Sequence, residues 1–337
     1  MATTTQHNLA NDRARAATSV RPPWFYHAMA LATVLVWSFS FLHIIILNEH
    51  IDPLSVVVLR KDIFLVLLIG LILWRRPPIA HMGPRDWALV IGMSLVVGPL
   101  YHFTFAWSAG VDASGANRIE VGLLGLILAT TPIHAGWLGW VFLRERLTIV
   151  RIVALALGLG GVWVVILGKQ KHIDLVPAHL AGPIAATGAA LFSAFGAILT
   201  RACRTVLRPV DLFLISGVII VGVVALFHPA ADFERIGAMG GLGWWAACFL
   251  GICGSGIAYL CWVAALSGLQ TVTVAMYLFL ASTLAALWGW LFRGEAVGWL
   301  FAVGGAMVLA GLVLPALAQN GKRRARVATP AIQEGTT

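Results

Sequence analysis

The sequence predicts an all-α integral membrane protein with ten transmembrane helices, arranged as two inverted repeats of five helices each. Three observations support this fold class. The 337 residues are 60% hydrophobic and only 11% charged, a composition far from that of a soluble domain. Segments of the first half recur in the second half, and most basic residues fall on one side of the predicted membrane.

Ten apolar stretches have the length of about 20 residues that is needed to cross the hydrocarbon core. They start near Trp24, Leu54, Trp87, Val121, Ile152, Leu180, Leu212, Trp244, Thr271 and Val297. The first stretch is longer than the core of a signal peptide, and no A-x-A cleavage pattern follows it. We therefore interpret it as a retained membrane span.

Two pairs of segments indicate an internal duplication. Pro132–Glu145 and Ser282–Glu295 are identical at 5 of 14 positions, and Trp87–Gly110 and Trp245–Gly268 are identical at 6 of 24. Each half contains five spans, which is an odd number, so the second half must cross the membrane in the opposite sense. Inverted repeats of this kind are typical of secondary transporters, whose substrate sites lie between the halves.

The polar stretches of the chain predict its boundaries. Residues 169–182 are expected to be a periplasmic connection between the first repeat, 21–168, and the second repeat, 183–318. Residues 1–20 and 319–337 have too little apolar content to fold alone. We expect both of these segments to be disordered cytoplasmic tails.

The positions of the basic residues predict the orientation. With the N-terminus in the cytoplasm, 16 of the 23 Lys and Arg residues lie on the inner side. The net charge of +9 therefore indicates membrane topology and not nucleic-acid binding, because these residues are scattered over short turns. We expect a multi-pass protein of the inner membrane with both termini cytoplasmic. The 4 cysteines lack metal-type spacing, and neither a metal nor another cofactor is expected.

Three motifs carry a resemblance to a known family. They are WSFSF from Trp37, DPLSVVVLRKD with Arg60 inside a span, and an A-T-T-P turn ending at Pro132 that leads to Glu145. Their order, spacing and duplication resemble the drug/metabolite transporter superfamily, in particular its EamA-like family with two five-helix repeats. The resemblance covers nearly the whole chain.

The repeated glutamates, Glu145 and Glu295, each end a span at the membrane interface. We interpret them, with Pro132, as a structural motif that caps helices or forms gate contacts, and not as ligands of a substrate. The repetition is imperfect at two positions. Ser282 stands where the second half would repeat the proline, and Phe192 stands where the tryptophan of the first span would recur.

The residues Arg60, Lys61 and Asp62 form the only ionisable cluster inside an apolar stretch. A charge at the bilayer centre costs roughly 3 kcal/mol, so such residues usually face a wet cavity or a partner. Successive residues of a helix point about 100° apart, so the three cannot all face one cavity. The resemblance favours Arg60 as the ligand of a carboxylate or other anionic group. The alternative is that Arg60 snorkels to the interface.

Three histidines, His43, His102 and His134, lie inside or near the ends of predicted spans and have side chains that titrate near neutral pH. Each could relay a proton or simply donate a hydrogen bond to a neighbouring helix. We predict His102 as part of the substrate site, and His134 and Asp62 as candidates for proton coupling.

Glycine-rich interruptions occur at equivalent places, near Gly98 and in the run Gly251–Tyr259. Paired interruptions indicate a transporter's binding site, although close helix packing would also explain these glycines. The aromatic residues Trp37, Tyr101 and Tyr259 are predicted to line the same cavity.

The resemblance implies a carrier that exports a small metabolite, an amino acid or a related compound, by alternating access. Import or facilitated diffusion of another small solute is the alternative. An intramembrane enzyme is a weaker alternative, because the chain lacks H-E-x-x-H, G-x-S-x-G and paired intramembrane carboxylates. The expected partners are a small-molecule substrate and the lipid bilayer, without nucleic acid. The sequence leaves open whether the protein is a monomer or a homodimer.

Overall fold

A computed structural model describes residues 21–75, 82–108, 127–169, 181–294 and 298–328. These residues form ten apolar helices, one for each predicted span. The helices are α1 (Pro23–Asn48), α2 (Pro53–Arg75), α3 (Pro84–Ser108), α4 (Thr131–Leu143), α5 (Ile149–Lys169), α6 (Ala181–Cys203), α7 (Pro209–Ala225), α8 (Gly241–Gly268), α9 (Thr271–Arg293) and α10 (Trp299–Ala328). Two short helical segments, His228–Ala230 and Phe233–Ala238, connect α7 to α8.

Prolines mark the starts of four helices. Proline at the first helical position costs no hydrogen bond, because the N–H groups of the first turn have no partner within the helix. It begins α1, α2, α3 and α7. Asp52 also caps α2, because its carboxylate accepts from the backbone N–H of Leu54 at 2.9 Å and of Ser55 at 3.1 Å.

Five of the described helices, α1, α3, α6, α8 and α9, are long and apolar enough to cross a membrane. Shorter apolar stretches lie in α5, α7 and α10. Large aromatic side chains are exposed at helix ends, among them Trp74, which is 81% exposed, and Trp299, which is 75% exposed. Tryptophans at such positions anchor helices at the membrane–water interface.

The helices of the two repeats pack against each other in a reciprocal pattern. Helix α1 packs against α8 and α9, and α6, its equivalent in the second repeat, packs against α3 and α4. Helix α2 contacts α7 and α8, while α7 contacts α2 and α3. The pair α5 and α10 packs together at one side of the bundle. The centre of the protein is therefore built from eight helices, four from each repeat.

Polar contacts bring several helix ends to one face, which we call the Glu145 face. Glu145, just after α4, lies 3.1 Å from Arg201 Nε near the end of α6 and accepts a hydrogen bond from Thr271 N at the start of α9. Arg75, at the end of α2, pairs with Asp211 in the first turn of α7 at 3.2 Å. Because α4 ends and α9 begins at this face, these two equivalent helices run in opposite directions.

The C-terminal boundary differs from the prediction. The sequence predicts a disordered tail from residue 319, whereas α10 continues to Ala328. The added residues include Ala, Gln, Lys and Arg, which have a high intrinsic preference for helix. Residues 1–20 and 329–337, and most of the predicted connection 169–182, lie outside the described residues.

Candidate functional site

A cavity of about 150 Å³ lies between the repeats and is bordered by α1 to α4 and α6 to α9. One water needs roughly 10–15 Å³ on the same measure, so the cavity has room for a small solute with water. All residues predicted as substrate ligands line this cavity, namely Trp37, Arg60, Tyr101, His102 and Tyr259. Residues far apart in the sequence are thus brought together around a single space.

Two neighbouring cations of α2 point into the cavity. Arg60 Nε donates to Ser255 Oγ at 2.7 Å, and Lys61 Nζ donates to the same oxygen at 3.3 Å. Lys61 is only 4% exposed, and its ammonium lies 5.7 Å from the centre of the Phe64 ring. Neither side chain snorkels to the interface, since both bind α8 in the interior. Lys61, which sequence reasoning did not place among the substrate ligands, thus lines the cavity beside Arg60.

Asp62 points away from the cavity, as the helical period requires for the third residue of the cluster. Both of its carboxylate oxygens lie 2.9 Å from His228 Nε2, in the connection between α7 and α8. The two side chains are about one third exposed. The predicted coupling residue Asp62 is therefore held by a histidine that sequence reasoning missed.

Lys61 Nζ and His102 Nε2 are 3.1 Å apart. A hydrogen bond between two nitrogens needs one of them to accept, so only one of the two groups can carry the extra proton. Two full charges at this distance would repel by about 5 kcal/mol at an effective dielectric constant of 20. The pair therefore holds at most one positive charge, and Arg60 adds another one nearby.

The positive charge of the site is not balanced by acidic residues in the described part of the chain. The ion pairs found there involve Asp62, Glu145, Asp211 and Asp232, and none of them includes Arg60 or Lys61. A buried cation without a counter-ion is costly. The cavity is thus suited to receive an anionic group from outside the protein.

Both predicted helix interruptions are π-helical turns, Val96–Leu100 in α3 and Phe249–Ile257 in α8. Such turns occur frequently at functional sites. Trp37 Nε1 donates to the backbone carbonyl of Gly254 at 3.1 Å within the second of them. Both interruptions therefore border the cavity, and the second one also binds an aromatic side chain of its wall.

The glycines of these turns also allow close packing of helices. A Cβ atom at Gly98 would lie 2.6 Å from Ile220 Cγ1 of α7, and one at Gly256 would lie 2.4 Å from Leu67 Cδ2 of α2. At either distance, a side chain fits only if the neighbouring side chain moves. The same segments thus border the cavity and pack closely against neighbouring helices.

Aromatic side chains form the apolar part of the cavity wall. The rings of Trp37 and Trp262 lie 5.2 Å apart, and Tyr101 stacks on Phe105 at 6.0 Å. The Tyr259 hydroxyl lies 3.3 Å from Ser216 Oγ. The cavity therefore combines a cationic side with an aromatic side that can receive an apolar or ring-bearing group.

Contacts at the Glu145 face close the bundle on one side of the cavity. Both carboxylate oxygens of Glu145 lie 3.1 Å from Thr271 N, and the Thr271 hydroxyl donates to Oε1 at 3.0 Å. Arg201 donates to this carboxylate and also to the backbone carbonyl of Leu269. Near the start of α1, His27 Nδ1 lies 2.9 Å from the Tyr277 hydroxyl of α9. Glu145 thus caps α9 of the opposite repeat.

The remaining predicted residues that the structure describes lie outside the cavity. His134, on the first turns of α4, is 3.2 Å from Thr130 Oγ1 and accepts from Trp137 Nε1 at 3.4 Å. His43 is buried in α1, where its ring stacks on Phe249 at 4.2 Å. Pro132 is buried in the first turn of α4, and Glu295 lies outside the described residues.

Sequence reasoning missed several residues of the site. Ser255, which binds both cations, lies in the glycine-rich run GICGSGIAY and was detectable as its only hydroxyl before Tyr259. Trp262 carries no signal that separates it from the other 13 tryptophans. Within the described ranges, no group of three or more His, Cys, Asp or Glu residues could hold a metal ion.

Comparison with known protein families shows which family has this architecture. The model of the EamA-like transporter family matches residues 24–167 and 180–316. The chain belongs to the EamA-like transporter family. This membership confirms the predicted resemblance to the drug/metabolite transporter superfamily and the two-repeat helical fold.

The transporter also resembles a crystal structure of another protein, with a TM-score of 0.70 over 87% of this chain and 96% of the other. The two sequences are 19% identical, so this similarity shows the fold alone. No curated protein matches the chain. By its family membership, the transporter is a multi-pass membrane protein of a family that moves small solutes.

Proposed function

We propose that the protein exports a small metabolite, an amino acid or related compound with an anionic group, across the inner membrane by alternating access. The observation that carries this proposal is the cavity between the repeats, where Arg60 and Lys61 lie side by side without an acidic partner among the described residues. A carboxylate there would form charge-assisted hydrogen bonds with both cations.

The Arg60 guanidinium is the primary ligand in this proposal. It presents several N–H groups in a planar fork that suits the two oxygens of a carboxylate. Only its Nε is bound to Ser255 Oγ, at 2.7 Å, within the described residues. The aromatic side of the cavity, with Trp37 and Trp262, would hold the apolar part of the same molecule.

The arrangement of the repeats supports alternating access. We infer that they are inverted repeats that rock around the cavity, as equivalent helices α4 and α9 run in opposite directions. In the described arrangement Glu145 holds α4, α6 and α9 together at one face. Opening the cavity toward this face requires separation of Glu145 from Thr271 and Arg201.

We assign the Glu145 face to the cytoplasm. Its helix ends and turns carry basic residues, namely Arg75, Arg85, Arg144, Arg146, Arg151, Arg201, Arg204 and Arg208. An excess of Lys and Arg in short loops marks the cytoplasmic side of a membrane protein. The N-terminus, which precedes α1 at this face, is then cytoplasmic as well.

Expression of the protein in bacteria, followed by mass spectrometry of the medium, tests the proposal. We expect one or a few metabolites to accumulate with the intact protein and not with Arg60→Ala at equal membrane abundance. Depletion of a compound from the medium would instead support import. Identical media for the two proteins, at equal abundance, would contradict a role of Arg60 in transport.

A further inference from the structure

We propose that Lys61 and His102 link proton binding to anion binding in the central cavity. The pair carries one positive charge when the cavity is empty and takes up a second proton together with an anionic group. This inference rests on the proposed function, because it assigns proton coupling to the same site. It differs from the sequence prediction, which placed coupling on Asp62 and His134.

The geometry of the pair supports a shared proton. Lys61 Nζ lies 3.1 Å from His102 Nε2, so one nitrogen donates and the other accepts. Lys61 is only 4% exposed, so bulk water screens this contact poorly. A second proton would turn the hydrogen bond into a contact between two cations.

The surroundings of the Lys61–His102 pair add positive charge, and no acidic side chain among the described residues lines the cavity. On α2, Arg60 shares Ser255 Oγ with Lys61. On α3, Tyr101 is the titratable neighbour of His102, and on α8 the Tyr259 hydroxyl faces Ser216. The other helices that border the cavity contribute only residues that do not titrate, including Trp37, Ser40, Thr131, Ser193, Ile220 and Ser282.

An anionic group would change this balance. Bound between Arg60 and Lys61, a carboxylate would offset the repulsion between Lys61 and a protonated His102. A proton from the surrounding solution could then bind the pair. By reciprocity, a protonated pair binds the anion more tightly by the same factor. The occupied cavity would carry the same net charge as the empty one. The loaded and the empty protein could therefore change between their two access states at a similar cost in free energy.

Calorimetry on the full-length protein in lipid nanodiscs tests this linkage. Benzoate serves as the anionic probe, and benzamide, which has the same ring without the charge, is its matched control. We expect benzoate to bind up to about tenfold more tightly for each unit decrease in pH between 8 and 6, as linkage of one proton requires. Benzamide affinity should not change over this range.

Substitution of His102 separates coupling from packing. In His102→Asn, the amide oxygen can still accept from Lys61 but cannot take up a proton. We expect this variant to bind benzoate with an affinity independent of pH. His102→Gln provides a second variant if the first fails to fold, and His134→Asn, outside the cavity, should keep the pH dependence of the intact protein.

Proton uptake can also be counted directly. Titration of benzoate in two buffers of different ionisation enthalpy should show up to about one proton taken up per benzoate by the intact protein. The same titration should show none for His102→Asn. This number would not change if His102 had a purely structural role.

Three results would overturn the proposal: equal benzoate affinity at pH 6 and pH 8, an unchanged pH dependence in His102→Asn, or no benzoate binding at all. None of them decides the proposed function. Loss of metabolite release in Arg60→Ala would still support export, whereas failure of that release assay with intact pH-linked benzoate binding would leave an anion site without the proposed transport.

Discussion

The two repeats share the same arrangement of helices but differ in the side chains that they contribute to the cavity. Their second helices, α2 and α7, both begin at a proline, Pro53 and Pro209. When the two helices are aligned at these prolines, Arg60 of α2 and Ser216 of α7 occupy equivalent positions. Arg60 lines the cavity and binds α8, while Ser216 is fully buried and faces Tyr259.

The same contrast holds at the next position and in the third helices. Lys61 corresponds to Gly217, where a Cβ atom would lie 2.8 Å from Leu68 Cδ2 of α2. His102 corresponds to Leu260 in the alignment of α3 with α8. The first repeat thus supplies the charged groups, whereas the second supplies close packing and hydroxyl groups. The two copies thus enclose one cavity, and among the described residues its charged side comes from the first copy.

The largest expected effect follows from the Arg60 and Ser216 comparison. Arg60→Ala should reduce transport at least a hundredfold, because loss of a charge-assisted, bidentate ligand costs about 3 kcal/mol. Ser216→Ala should reduce it no more than about tenfold, because a neutral hydrogen bond contributes about 0.5–1.5 kcal/mol. Rates of metabolite release, normalised to membrane abundance, measure both. Similar losses in the two variants would contradict a functional difference between the repeats.

Glu145 provides the next test, because it joins the end of α4 to the start of α9. Glu145→Ala should lower the free energy of unfolding by about 3 kcal/mol, since it leaves Arg201 without its buried partner and Thr271 N without an acceptor. Thermal unfolding in detergent measures the change. Arg235→Ala, which removes an exposed pair with Asp232, should change stability by less than about 1 kcal/mol.

The equivalent glycines, Gly98 and Gly256, should respond differently to the same substitution. A Cβ atom at Gly98 would meet three atoms of the β-branched Ile220 within 3.2 Å, including its Cβ, whereas at Gly256 it would meet the tip of Leu67 at 2.4 Å. The tip of a leucine can rotate away, but the base of an isoleucine cannot. We expect Gly98→Ala to cost about 2 kcal/mol and Gly256→Ala less than about 1 kcal/mol. Equal melting temperatures would show that the two turns adapt alike.

The smallest effect concerns the ends of α4 and α9. Arg144 and Gly294 both adopt the left-handed conformation there, with φ of 54° and 64°. Only glycine takes this conformation without a steric cost, which for other residues is about 1 kcal/mol. Arg144→Gly should therefore raise stability by about that amount. Arg144→Ala removes the same charge but keeps the cost, and a similar gain in that variant would refute the conformational explanation.

The predicted site residues show what sequence patterns can and cannot reveal. Trp37, Arg60, Tyr101, His102 and Tyr259 all line one cavity, because polar residues and helix interruptions at membrane depth tend to face the interior. The prediction that three consecutive charged residues cannot share one cavity also follows from the helical period alone. Depth and periodicity are local properties, so they can be read directly from the chain.

The partners of these residues could not be predicted. Asp62 meets His228, 166 positions away, and Glu145 meets Thr271, 126 positions away. Ser255, from the opposite repeat, joins Arg60 to Lys61. A single sequence indicates where along each helix a side chain lies but not which neighbouring helix it faces, because that depends on how the helices rotate and pack.

By itself the sequence determined the membrane class, the ten spans, the two repeats and a charged cluster within α2, because hydropathy, periodicity and internal similarity follow from the order of the residues alone. The tertiary structure decided that Lys61 shares a hydrogen bond with His102, that Asp62 is turned away, and that Glu145 caps α9 of the other repeat. The physical reason is that these contacts join helices distant in sequence, and only their packing around one cavity fixes the distances and directions on which the chemistry depends.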